Sequence, residues 1–196
     1  MAAVRAPFGF KPSRNLHGNF NPMTRRYPID VGAIGGVRPV FTGDPVTFVT
    51  SNSVRIVQIP ATVANPLPLG VIMQVLDANQ KPLVFSLPVK GPFLLPAVAG
   101  FVDVYIDPDN IYWVATDLTA SVPHVNACVL ATALSSGNSN NLIGRSPFGM
   151  QLGVDTSATN ERPWRIIGPS TQTRDYLTNV DWVDGVEVIL ANSFLT

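Results

Sequence analysis

From about Phe41 onward, apolar positions recur with the two-residue period of strands, in short runs separated by turn residues. VRIVQI (54 to 59) and LGVIMQVL (69 to 76) are rich in β-branched residues and bounded by Pro, Asn and Asp. The second is apolar at both alternating positions, which predicts a strand buried on both faces. FVDVYIDPDNIYWVAT (101 to 116) is the clearest unit, with Val102, Val104 and Ile106 on one face and Asp103 and Tyr105 on the other. In its centre Asp107 can open a type I turn, Pro108 presets the next φ and Asn110 tolerates a left-handed conformation, so a hairpin is predicted. FTGDPV contributes a Gly-Asp-Pro turn ahead of the series. HVNACVLATAL (124 to 134) fits a strand or a short helix, because Ala and Leu blur the period, and SSGNSNN (135 to 141) reads as a surface loop. PWRIIG (163 to 168) and GVEVILAN (185 to 192) read as further strands. Runs roughly ten residues apart with turn chemistry between them predict an all-β fold, a compact barrel or sandwich with little helix.

The first 38 residues break this pattern. They show neither period, and Gly, Pro, Asn and Arg alternate with Phe8, Phe10, Phe20 and Tyr27. The chain therefore divides into an extended basic and aromatic arm, 1 to 38, and a β-rich body, 39 to 196. A small barrel with a second β subdomain from about residue 100 is the finer division of that body. Aromatic rings are costly to leave in water, so the arm is expected to lie on its own body, a sister subunit or another protein.

A length of 196 residues and a hydrophobic fraction of 46% suffice for the core of one domain or two small ones. Charged residues are only 13%, and 18 prolines and 15 glycines are spread along the chain, which disfavours long helices. The zero net charge conceals an asymmetry. Residues 1 to 38 hold Arg5, Lys11, Arg14, Arg25, Arg26 and Arg38 against Asp30 alone, a net +5, which leaves −5 on the remainder. A basic arm on an acidic body points to an interaction tail.

Cys128 is the only cysteine, so no intrachain disulfide forms, and an intracellular assembly site fits better than an oxidising one. Arg5, Lys11, Pro12 and Arg14 interrupt the start of the chain, so no export signal is expected. The uncharged stretch 56 to 76 contains three prolines, an asparagine and two glutamines, which lipid would leave unsatisfied. It reads as strand, loop, strand, and no membrane partner is expected.

Candidate chemistry is sparse. His124 and Cys128 would share a strand face, the minimum for a thiol nucleophile with a base, but Cys128 lies in an apolar run and reads as a small hydrophobe. DPDNIYWVATDL begins like a calcium loop, yet Tyr112 and Leu118 stand where glycine and glutamate are required. GAIGG (32 to 36) lacks phosphate-loop spacing, and Glu161 and Glu187 are the only glutamates. No catalytic residue, metal or cofactor is expected, and the chain is not read as an enzyme.

Arg25 and Arg26 beside Tyr27 could serve nucleic acid or protein. The acidic body disfavours direct nucleic-acid binding, and Arg, Tyr and Phe are enriched at protein interfaces. The candidate partner-binding residues are Phe8, Phe10, Arg14, Phe20, Arg25, Arg26 and Tyr27. Tyr112, Trp113, Trp164 and Trp182 would form a sugar platform if exposed, although adjacent Tyr112 and Trp113 point to opposite faces of a strand, so one of them belongs to the core.

FGFKPSRNLHG, RRYPI, GDPV, LGVI, VDVYIDPDNIYWV, LTASVPHVNACVL, RSPFGMQL and the closing VEVILAN follow one another in an order that resembles tailed-bacteriophage head decoration, or cement, virion proteins. The resemblance spans nearly the whole chain, through short and mostly structural motifs. GPSTQTRDYLTNVDW (168 to 182) and LLPAVAGF (94 to 101) depart from the family pattern. The resemblance implies a small β-rich protein on the exterior of an expanded icosahedral head, made in the host cytoplasm. It implies a homo-oligomer, commonly a trimer at local three-fold axes, that binds the major capsid protein and clamps adjacent capsomers. No active site comes with it. On this reading the arm lays Phe8, Phe10 and Tyr27 into apolar grooves of the capsid or a neighbouring subunit, while Arg14, Arg25 and Arg26 meet acidic capsid loops. A virion-surface module that recognises host glycans is the alternative expectation.

Overall fold

A computed structural model describes residues 9–20, 22–29, 39–51, 54–58, 68–83, 93–94, 98–115, 128–133, 146, 148–151, 163–169 and 185–191. All regular structure among them is β. The strands are β1 (Lys11–Asn15), β2 (Thr24–Pro28), β3 (Val40–Phe41), β4 (Pro45–Ser51), β5 (Val54–Gln58), β6 (Pro68–Leu76) and β7 (Phe93–Leu94). They continue with β8 (Phe101–Tyr105), β9 (Asn110–Val114), β10 (Cys128–Ala133), β11 (Phe148–Gln151), β12 (Trp164–Pro169) and β13 (Val186–Leu190).

These strands build two antiparallel sheets, one in the order β1-β9-β13-β12-β10-β11 and the other β2-β8-β6-β4-β5, with β3 and β7 as a separate pair. The inner faces meet in one core, so the fold is a compact β-sandwich. Val102, Val104, Leu69, Val71, Ile72 and Val75 come from the five-stranded sheet, and Tyr112, Val114, Trp164, Ile166, Val186 and Val188 from the six-stranded sheet. Both sheets curl. β5 approaches β2 at the opposite edge of its sheet, and the Met150 amide of β11 donates to the Ala115 carbonyl just after β9, at 2.8 Å.

The turn expected between β8 and β9 forms, but the two strands do not pair as the predicted hairpin: β8 lies in the five-stranded sheet and β9 in the six-stranded one, so the turn carries the chain from one sheet to the other. Val102 and Val104 are fully buried and Ile106 nearly so, as the alternation requires. In that turn the Asn110 amide donates to the Asp107 carbonyl at 3.3 Å, and Asp107 Oδ1 accepts the Asp109 amide at 2.9 Å. Asn110 differs from expectation: it opens β9 instead of taking a left-handed conformation, and Gln80 is the one described non-glycine residue at positive φ (62°). β6 is buried at Leu69, Val71, Ile72, Val75 and Leu76, with a register shift between Ile72 and Gln74. Gly70 lets β6 pass close to β8, since a Cβ there would collide with the Tyr105 carbonyl oxygen. Of the stretch whose period fits strand or helix (124 to 134), the described part, Cys128–Ala133, is the strand β10, paired to β11 and β12.

Residues 9 to 29 do not stand off the body. β1 pairs with β9 and β2 with β8, so this segment supplies an edge strand to each sheet. Sequence periodicity misses both because their neighbours, not their own alternation, place them. β1 is mostly exposed along its length and carries Pro12, and β2 presents Thr24, Arg25 and Arg26 to solvent before Tyr27 turns inward. Phe8, residues 30 to 38, His124, the loop expected at 135 to 141 and Trp182 lie outside the described residues.

Candidate functional site: the N-terminal strap

The segment from Gly9 to Ile29 forms a strap whose aromatic side chains pack on the body and whose basic side chains lie toward its outer surface. Phe10 is 2% exposed. Its ring sits 4.4 Å from that of Trp164 and 6.2 Å, edge on, from that of Tyr112. Phe20 packs against Tyr105 at 4.9 Å, and the ring of Tyr27 meets Phe48 on β4 at 5.1 Å in a T-shaped contact. Phe10 and Tyr27 therefore belong to this chain's own core, and Phe20 packs against its margin.

The basic residues divide. Arg14 Nη2 donates to Glu187 Oε2 at 2.7 Å, and Ser13 Oγ donates to Glu187 Oε1 at 2.9 Å. Glu187 is 1% exposed, so the strap supplies part of what a buried carboxylate requires. Arg26 grips Asp103 with two bonds, Nε to Oδ1 at 2.8 Å and Nη2 to Oδ2 at 3.0 Å. That hydrogen-bonded carboxylate holds the Arg26 guanidinium above its ordinary pKa. Arg25 is exposed and forms no ion pair among the described residues. Lys11 Nζ lies 5.1 Å from the centre of the Trp113 ring.

Between β1 and β2 the strap crosses the β8–β9 turn. Asn15 is buried there and donates through Nδ2 to Asn110 Oδ1 at 3.1 Å and to Asp107 Oδ2 at 3.3 Å. The Leu16 amide donates to the Asp109 carbonyl at 3.0 Å, and the Ile106 amide to the Met23 carbonyl at 3.2 Å. Leu16 and Met23 thus flank one turn, and both side chains are 52% exposed. His17, with Nε2 3.4 Å from Asp109 Oδ2, is exposed beside them. Sequence gives no hint of Leu16 and Met23, because single apolar residues in an aperiodic stretch carry no signal of exposure.

The tryptophans do not form a shared platform among the described residues. Trp164 is core at 1% exposure, and Trp113 is half-buried beneath Lys11. Tyr112 is fully buried, and burial pushes its hydroxyl far above the ordinary pKa. The nearby Asn110 side chain opposes that shift, but among the described residues no partner stands in hydrogen-bonding geometry to the Tyr112 hydroxyl. Partial burial also raises Tyr105. Among the described residues no group of three or more His, Cys, Asp or Glu is placed to hold a metal ion. No described helix is long and apolar enough to cross a membrane. Comparison with protein-family models, curated proteins and solved structures finds no match for this chain.

Proposed function

We propose that the chain is a structural virion protein that binds the outer surface of an icosahedral phage head and stabilises it by clamping adjacent capsomers. The observation that carries this reading is the outer surface of the strap. Leu16 and Met23 stand exposed near His17, and Arg25 has no ion pair among the described residues, all on a segment anchored to a β body. Apolar and arginine side chains held by a rigid scaffold suit protein docking. The order of motifs resembling head decoration proteins supplies the identity of the partner, the major capsid protein. Several copies joined as a homo-oligomer, a trimer in this reading, would gain avidity because later contacts form at high effective concentration.

The test is co-sedimentation of the purified protein with expanded heads that lack outer accessory proteins. The wild type is expected to pellet with heads and the Leu16→Asp, Met23→Asp double variant to remain in the supernatant while keeping its fold. Wild-type protein that stays in the supernatant at saturating concentration contradicts the reading.

A further inference from the structure

The apex where the strap crosses the β8–β9 turn is fixed from both sides. The Leu16 amide donates to the Asp109 carbonyl, and the Ile106 amide donates to the Met23 carbonyl. Asn15 Nδ2 donates to Asp107 Oδ2 and to Asn110 Oδ1, and Asp107 Oδ1 accepts the Asp109 amide. Leu16 and Met23, each 52% exposed, are therefore mounted on a pinned turn, and a partner that covers them has little backbone to order. Charge decides what such a partner carries. Asp107 and Asp109 put two carboxylates in the turn that Leu16 and Met23 flank, and the Asp109 side chain is 46% exposed. His17, with Nε2 3.4 Å from Asp109 Oδ2, faces that carboxylate and adds a full charge only when protonated. The strap's arginines lie elsewhere: Arg14 and Arg26 close on Glu187 and Asp103, and Arg25 sits further along β2, in register with Val104.

We infer that this apex docks a protein segment presenting apolar side chains next to lysine or arginine, the apolar groups covering Leu16 and Met23 and the cation meeting Asp109. The inference rests on the docking role proposed for Leu16 and Met23, and it reverses the charge of the partner, since the sequence sets the strap's arginines against acidic loops. Apolar contact supplies most of the affinity, and the cation fixes orientation and partner choice. An acidic partner surface would bring like charges against Asp107 and Asp109 and be disfavoured.

The experiment titrates the isotope-labelled full chain, at neutral pH and low salt, with hexylammonium and with hexanoate, which share an alkyl tail and differ in charge, and follows the amide shifts by NMR. Both probes are expected to move the amides of Leu16, His17, Met23 and Asp109, with the hexylammonium midpoint lower by about three- to fivefold, the scale of an exposed ion pair. Salt at about 0.5 M is expected to remove most of that preference. Asp109→Asn leaves the turn's backbone bonds in place and is expected to bring the two midpoints within about twofold. Equal midpoints for the wild type, a preference for hexanoate, or shifts confined to other residues overturn the inference. On expanded heads, Asp109→Lys is expected to weaken co-sedimentation by about tenfold or more, and pelleting equal to the wild type also overturns the inference. Wild-type protein that does not pellet, with the hexylammonium preference intact, contradicts the head-binding reading alone.

Discussion

Arg14 on β1 reaches across β9 to Glu187 on β13, with Nη2 2.7 Å from Oε2. The carboxylate side chain is 2% exposed and the guanidinium side chain 50%, so the pair is wet on one side only. Removing Arg14 leaves a buried charge with less compensation, whereas removing both charges relieves it. Arg14→Ala is expected to lower stability by about 1–3 kcal/mol, and Glu187→Gln in the same chain to restore part of that loss. Urea unfolding of the two single variants and the double variant measures the coupling.

Phe10 stands between two aromatic rings of the core, Trp164 and Tyr112, so Phe10→Ala opens a cavity. The expected cost is about 3–5 kcal/mol, read as a lower urea midpoint in the isolated protein. A ring reserved for an external partner would leave that midpoint unchanged.

Gly70 and Gly168 form a matched pair of tests. A Cβ at Gly70 meets the Tyr105 carbonyl, while at Gly168 nothing among the described residues lies within 4 Å. Gly70→Ala is expected to cost about 3 kcal/mol or more, or to prevent folding, and Gly168→Ala to change stability by less than about 1 kcal/mol. Thermal melts of both variants check the contrast.

Burial raises the folded-state pKa of Tyr112, so the folded protein retains a proton that the unfolded chain releases above about pH 10. The contribution is fully present below the unfolded pKa and is lost as pH rises through the folded one. Stability is expected to fall above about pH 10 by up to about 1.4 kcal/mol per pH unit from this group. Tyr112→Phe removes that slope and, because the hydroxyl has no hydrogen-bond partner among the described residues, costs little at neutral pH. Urea unfolding at neutral and alkaline pH compares the two proteins.

The body is legible in sequence where burial imposes a period. β6, β8 and the turn that follows it announce themselves through apolar runs and turn chemistry, and Val102, Val104 and Ile106 lie inside as expected, but the turn joins two sheets where a hairpin is expected. β1 and β2 are not legible, since an edge strand exposed along most of its length needs no apolar alternation. The charge asymmetry is a property of the sequence, but two of its pairs close within the chain, at Glu187 and Asp103. Neither acid could be matched to its arginine from sequence, because the pairs are separated by 173 and 77 positions.

Stabilisation of a head is tested most directly by the temperature at which expanded, undecorated heads release their contents, measured with and without saturating protein. A higher release temperature with the wild type, lost with the Leu16→Asp, Met23→Asp variant, is the predicted result. An unchanged release temperature with wild-type protein bound would contradict a stabilising role.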